Sequence, residues 1–275
     1  MSLAITIIVP AHNEAALLAN CLAALLGSHG LGQVQVIVAA NGCTDATVAI
    51  AQGFARQAQA LGWDLLVLDL ADGGKPGALN AADAVALHPS RAYLDADVTV
   101  DARLLAQIIA VLDQPAPAYA SGSLVITGTG RVARAYAAVW AQVPFMAQGV
   151  PGCGFFAVNA AGRARWGQFP PIISDDTFVR LQFSPQERHL VAARYYWPVA
   201  EGFANLVRVR RRQDAGVKQV ARLYPALMSN DATPALSARR LAQVLLSGPL
   251  AFAVYAAVAL AVRLKPAGSE WSRGR

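Results

Sequence analysis

Asp95-Ala96-Asp97 sets two carboxylates one residue apart, directly after the short apolar run Ala92-Tyr93-Leu94. That run reads as a buried strand. Its C-terminal tip would hold both acids at the rim of a sheet, which is where open α/β sheets bind ligands. Paired carboxylates suit Mg²⁺ or Mn²⁺, hard cations that take oxygen ligands and bridge to phosphates. The same triplet also arises at ordinary strand-to-loop turns, because Asp favours turns, so the neighbouring segments must decide.

Three other strand-like runs end in residues able to do chemistry. Val9-Pro10-Ala11-His12-Asn13-Glu14 closes the first, with Pro10 stopping the ladder at the rim. Asn41-Gly42-Cys43-Thr44-Asp45 closes the second and suits a tight turn. Asp72-Gly73-Gly74-Lys75-Pro76-Gly77 follows the third. Its glycines let backbone approach a ligand, and Pro76 fits a first helical turn. Lys75 would then stand at a helix N-terminus, where anions bind. Each segment alone is ordinary loop chemistry, but all four fall on one edge of the inferred sheet. No G-x-G-x-x-G follows the first strand, which counts against a dinucleotide site. Later, Ser174-Asp175-Asp176 heads a short helical pattern with Ser174 as the expected cap. Two acids at that place also stabilise a helix start without any catalytic role.

The elements that must position these residues alternate. Runs at Leu3 to Val9, Val34 to Ala39, Leu65 to Leu70 and Ala92 to Asp95 read as strands. Helical spacing fills Ala15 to Leu26, Asp45 to Leu61 and Gly77 to Leu87 between them. That order predicts a mostly parallel sheet covered by helices on both faces. Asp101 is expected to cap a helix through Leu112. Beyond it the pattern predicts a strand at 118–127, a helix at 131–148, a strand after Gly152-Cys153-Gly154, a strand from His189 to Tyr195 and a helix from Ala200 to Arg212.

The chain has 275 residues, enough for one large domain or two small ones, and is 55% hydrophobic, which excludes a disordered chain. Its three cysteines lack metal-ligand spacing, and with no signal-like start they point to a reducing cytosol. Charge is uneven: residues 1–160 carry 6 Lys and Arg against 10 Asp and Glu, while residues 161–275 carry 17 against 7. A basic C-terminal half suits phosphates, nucleic acid or an anionic membrane. Leu241 to Val262 holds no charge and is long enough to cross a bilayer as one helix. Arg239, Arg240, Arg263 and Lys265 flank it. Pro249 allows instead two shorter amphipathic helices. Trp166, Trp197 and the pairs Phe155-Phe156 and Tyr195-Tyr196 could stack on a sugar or fill a core. His189 is a further candidate metal ligand.

Taken together, these motifs resemble those of the inverting family 2 glycosyltransferases of GT-A fold. The matching stretches are Ile7 to Glu14, Val38 to Asp45, Lys75 to Asn80, Asp95 to Asp97, Gly152-Cys153-Gly154 and Asp175-Asp176, in that order. The resemblance implies a Rossmann-like, mostly parallel sheet with flanking helices over residues 1–216. A C-terminal apolar, membrane-associated helical segment would occupy 217–275. It implies that Pro10, Ala11, His12, Glu14 and Asn41 hold the base and ribose of a nucleotide-diphosphate sugar, with Lys75 near the diphosphate. Asp97, with Asp95, would place Mg²⁺ or Mn²⁺, and Asp176, with Asp175 as its neighbour, would serve as general base. Gly152, Cys153 and Gly154 would lie on the acceptor side. Arg212 matches the Arg of the processive members' Gln-x-x-Arg-Trp motif, but Val209 and Gln213 replace its Gln and Trp, which favours transfer of single sugars. The expected partners are the donor, an acceptor hydroxyl that is lipid-linked or part of a cell-envelope glycan, and the cytoplasmic face of a membrane, but no nucleic acid. Two rival readings are a sugar-phosphate nucleotidyltransferase and a non-catalytic nucleotide-sugar-binding module.

Overall fold

The computed structural model describes residues 4–233 and 237–264; Leu3 and Lys265, which entered the expectations above, lie outside them. Eight strands form one sheet. They are β1 (Ile5–Ala11), β2 (Val34–Asn41), β3 (Asp64–Leu70), β4 (Arg91–Leu94), β5 (Thr99–Val100), β6 (Tyr119–Thr127), β7 (Phe155–Val158) and β8 (Arg188–Pro198). Their order is β3-β2-β1-β4-β7-β6-β8-β5. The first four are mutually parallel, β7 runs antiparallel to both β4 and β6, and β6 runs parallel to β8. The parallel half therefore points the tips of β1 to β4 at one edge.

Both faces of that half are covered, which is why β1 and β2 are buried at every position. Ile5, Ile7, Val9, Val36 and Val38 face one core with the helices Leu18–Leu26 and Leu104–Leu112. Ile8, Ile37 and Ala39, of opposite parity, face a second core with Leu79, Phe178 and Phe183. A third cluster joins Tyr136, Trp140, Leu206 and Val258.

Several expectations are corrected. The helix expected over 131–148 is two, Arg131–Trp140 and Pro144–Gln148, separated where Pro144 opens the second. Asp101 does not cap the helix ending at Leu112; its carboxylate accepts from the Arg194 N–H at 3.1 Å and so ties β5 to β8. The helix expected to end at Arg212 runs from Phe203 to Leu223. Gly216 lies within this helix. A Cβ on it would sit 2.1 Å from Ser174 Oγ, so glycine lets the helix pack directly on the Ser174 turn. The C-terminal apolar run is not one helix: it breaks at Gly248 into Ala238–Ser247 and Pro249–Leu264. No helix among the described residues is long and apolar enough to cross a membrane.

Gly216→Ala should lower stability by roughly 1–3 kcal/mol, the usual penalty for overpacking. Adding Ser174→Ala, which removes the clashing hydroxyl, should restore part of it. Urea melts of both variants check this; an unaltered midpoint in the single variant would refute the close packing.

Candidate active site

The four strand tips are sewn together by side chains that the turns supply. Asn41 ends β2, and its Nδ2 donates to Ala11 O at 2.8 Å and Ala39 O at 3.2 Å. Its Oδ1 accepts from the Gly74 N–H at 2.9 Å, so one buried amide joins the ends of β1 and β2 to the loop after β3. His12 Nδ1 donates to the Asn41 carbonyl. Asn13 adopts a left-handed conformation, φ 53°, which Asn tolerates. Its Oδ1 takes the Thr44 N–H at 2.6 Å. Gly42, at φ 54°, lies so near Gly73 that a Cβ would fall 2.9 Å from that residue's nitrogen.

The Asp95-Ala96-Asp97 turn is held by its neighbours. Val98 N–H donates to Asp95 O at 3.0 Å, closing the turn, and Asp95 N–H donates to Gly154 O at 2.8 Å. Ala96 and Val98 point into the core, 4% and 0% exposed. The alternation leaves Asp95 and Asp97 on the open side. Gly154, at φ 74°, admits no side chain: a Cβ would meet Val98 Cγ2 at 2.8 Å and Trp197 Cδ1 at 2.9 Å.

Lys75 opens the helix Lys75–Ala84. Its Nζ lies 2.8 Å from Asp95 Oδ1 and 3.1 Å from Asp175 Oδ2. Asp175 begins the helix Asp175–Arg180 and its side chain is only 6% exposed. Burial alone would lower the ammonium's pKa, but the Asp175 and Asp95 carboxylates outweigh it and hold the pKa well above its ordinary value. Burial raises the Asp175 carboxyl, with Lys75 pulling the other way. Asp176 is pushed up to about 6 by burial and by the Asp175 charge beside it. Ser174, expected to cap this helix, makes no capping hydrogen bond. Asp176 Oδ1 instead accepts from Thr177 N–H at 2.7 Å.

The loop before Asp175 is pinned from two sides. Asn80 Nδ2 donates to Phe169 O at 3.0 Å while its Oδ1 accepts from Phe169 N–H at 2.7 Å. Gln219 Oε1, on the helix Phe203–Leu223, accepts from Ile173 N–H at 3.0 Å.

The strand tips, Lys75 and the Asp175-Asp176 pair line one cleft of about 520 Å³, a size usual for a small-molecule site. Of the expected site residues, Pro10, His12, Glu14, Asn41, Lys75, Asp95, Asp97, Gly154, Asp175, Asp176 and Arg212 all line it. Ala11, Gly152 and Cys153 do not. Ala11 is buried and contributes its carbonyl to Asn41. Gly152 is packed on the Tyr119 hydroxyl, and burial, with Asp176 second, pushes the Cys153 thiol up. The opposite wall holds Tyr136, Trp140, Trp197 and Arg210. Arg210 Nε pairs with Asp214 at 2.9 Å, and its guanidinium lies 5.5 Å from the Trp140 ring centre. Tyr136 and Trp140 were missed in the sequence, although their i, i+4 spacing on a helix put them on one face. Of the aromatics singled out for stacking, Trp197 lines the cleft, whereas Trp166, Phe155, Phe156 and Tyr195 are core. His189 lies beside Gln114 and is not in the cleft lining. Among the described residues no three His, Cys, Asp or Glu side chains gather into a ready-made cation site.

A family model described as glycosyl transferase family 2 matches residues 6–154, more than half of the chain. The chain belongs to that family and is a glycosyltransferase, which sets aside the nucleotidyltransferase and non-catalytic readings. Solved structures share its fold. The mannosyltransferase PcManGT from Pyrobaculum calidifontis, in complex with GDP-Man and Mn²⁺, is 19% identical, with a TM-score of 0.60 over 96% of this chain and 76% of its own. S. aureus TarS 1-349 in complex with UDP-GlcNAc is 16% identical, with a TM-score of 0.52 over 91% and 72%. Glucosyl-3-phosphoglycerate synthase from Mycobacterium tuberculosis, in complex with phosphoglyceric acid, is 14% identical, with a TM-score of 0.50 over 78% and 80%. No curated protein matches the chain at a significant level. The expected GT-A architecture holds: a mixed α/β sheet flanked by helices, with a helical C-terminal segment.

Lys75→Met should leave Asp175 buried without its cation. The variant should lose about 2–3 kcal/mol at pH 7.5, somewhat less than a fully buried pair would, because Lys75 is a third exposed. The loss should shrink toward pH 5, where the carboxyls of the variant take up protons and no longer need a counter-charge. Urea midpoints at the two pH values check this, and equal midpoints for both proteins would remove the lysine from the account.

Proposed function

We propose that this glycosyltransferase moves a single sugar from a nucleotide-diphosphate donor to an acceptor hydroxyl with inversion at the anomeric carbon, assisted by Mg²⁺ or Mn²⁺. The observation that carries the reading is the meeting of Asp95, Lys75 and Asp175 at one lip of the sheet, with Asp97 and Asp176 lining the same cleft. Pro10, His12, Glu14 and Asn41 border the end assigned to the base and ribose. Arg212 lies where it can pair with a diphosphate, whose oxygens suit a guanidinium fork.

The donor set fits a divalent ion of this kind. Hard cations at phosphate sites are held by one or two carboxylates and complete their shell with phosphate and water oxygens, so no third protein ligand is required. By the family's motif Asp97 is the direct ligand, with Asp95, which pairs with Lys75, beside it. The ion, when bound, supplies Lewis-acid stabilisation of the departing diphosphate. The PcManGT complex with GDP-Man and Mn²⁺ supports this assignment by likeness of fold.

The chain's own residues do the rest. The acceptor oxygen attacks the anomeric carbon as the bond to the diphosphate oxygen breaks, and Asp176 takes the acceptor proton. A single displacement of this kind inverts the centre. A carboxyl raised to about 6 is a stronger base than an ordinary aspartate yet still ionised at pH 7. Asp175, locked to Lys75, helps by its own charge to keep the Asp176 pKa raised.

Asp97→Ala should abolish metal-dependent transfer while leaving the unfolding midpoint nearly unchanged; undiminished turnover would reject the metal role. Asp176→Asn should keep donor binding and lose transfer by roughly two to four orders of magnitude, the usual worth of a general base. Wild-type kcat/KM should fall as pH drops through about 6. Asp176 binds its proton more tightly folded than unfolded, so stability declines as pH rises from 3.8 to about 6. The Asn variant should therefore melt higher than wild type at pH 7. Full activity in Asp176→Asn would take the base role from this residue. A thermal-shift series of nucleoside diphosphates and nucleotide sugars, with and without Mn²⁺, should single out the donor base.

A further inference from the structure

The helix Ala238–Ser247 is amphipathic, yet its leucines are exposed along with its polar residues. Leu241, Leu245 and Leu246 are 43%, 42% and 82% exposed, and Val244 alone is buried. The following helix, Pro249–Leu264, packs Tyr255 and Val258 against the Tyr136 and Trp140 cluster. Its outer stripe is Leu250, Ala253, Ala257, Leu260 and Leu264, all exposed and all apolar. Those positions recur at i, i+3, i+7, i+10 and i+14, so they form a single line along the helix. A surface helix facing water alone would carry polar residues there.

Beside this apolar surface lies a strongly cationic groove. A second cleft, between the helices Phe203–Leu223 and Pro249–Leu264, is lined by Arg211, Lys218, Arg222 and Arg263. Its one acid, Asp214, is paired with Arg210. Arg239 and Arg240 add two exposed cations in the first turn of the helix Ala238–Ser247.

We propose that the helices Ala238–Ser247 and Pro249–Leu264 form an in-plane docking surface for an anionic lipid bilayer. The leucines would enter the interfacial layer, and the Arg211, Lys218, Arg222 and Arg263 groove would hold lipid phosphates. Charge complementarity selects this occupant: exposed leucines bordered by unopposed cations match the boundary between acyl chains and anionic headgroups. A second copy docked symmetrically on the same face would bring like-charged grooves together. Tyr255 stacks on Tyr136, which lines the catalytic cleft. Docking would therefore hold that cleft roughly one helix diameter, about 10–12 Å, from the lipid.

Vesicle flotation of the full chain tests the surface without reference to sugar transfer, so its failure and that of the proposed reaction are separable. The chain should float with phosphatidylglycerol–phosphatidylcholine vesicles and bind pure phosphatidylcholine roughly ten-fold or more weakly. Leu246→Glu with Leu260→Glu should abolish flotation, and because both side chains are exposed the circular dichroism and melting midpoint should not change. Lys218→Glu with Arg222→Glu should weaken binding to anionic vesicles roughly ten-fold or more and leave the weak neutral-vesicle binding as it was. The proposal is overturned if wild type fails to float with anionic vesicles, or if the leucine variant floats as well as wild type. It is equally overturned if the leucine variant instead dissolves a dimer seen by sedimentation.

Discussion

One ammonium group organises the functional end of this molecule. Lys75 reaches Asp95 at the tip of β4 and Asp175 at the start of a short helix far along the chain. Asp95, Asp175 and Asp176 would repel one another if brought together unaided, and burial of Asp175 would raise that cost. The lysine offsets both effects, so two halves of the fold that are otherwise joined through β4 and β7 share one electrostatic centre. It is positioned by backbone-directed amides rather than by its own flexible stem. Asn41 fixes Gly74, and Asn80, on the same helix, fixes Phe169 ahead of the acid pair.

The rest of the cleft follows from what packs around that centre. Parallel strands covered on both faces give a rigid edge with four tips side by side. The long helix Phe203–Leu223 closes the other side, seated through Gly216 against Ser174 and through Gln219 against Ile173. It also carries Arg210 and Arg212 into the cleft. The two walls thus differ in chemistry: carboxylates with one lysine on the sheet side, aromatic rings and guanidinium groups on the helix side. A donor with an anionic middle and a sugar at one end is complementary to that division.

The parallel half was legible in the sequence because its physics is local. β1, β2 and β4 are short, mostly apolar runs, with the buried Thr6 and Gln35 hydrogen-bonded to each other, as suits strands buried on two faces. Their tips carry Pro10, Asn41, Lys75 and Asp95 at positions that turn chemistry alone would mark. The remainder depends on contacts that no local pattern announces. Nothing local marks Gly216, whose missing side chain leaves room for the Ser174 turn. Ser174 reads as a cap, but its turn is set by Gly216 and Asn80 rather than by its own hydroxyl. Tyr136 and Trp140 look like core on an amphipathic helix, and they face the cleft only because the helix Phe203–Leu223 brings Arg210 over them. The uncharged run after Arg240 has the length of a membrane span, yet Gly248 and Pro249 divide it, because proline cannot continue the ladder of the helix before it.

The central claim is that the lip formed by Asp95, Asp97, Lys75 and Asp176 gathers a cation and a pyrophosphate group. A crystal structure grown with Mn²⁺ and the matching nucleoside diphosphate, with anomalous scattering recorded for manganese, tests it most directly. The account predicts an anomalous peak in bonding contact with Asp97 and the diphosphate, with Asp176 across the cleft from the β-phosphate. Nucleotide bound with manganese away from Asp97, or bound outside this cleft altogether, would contradict it.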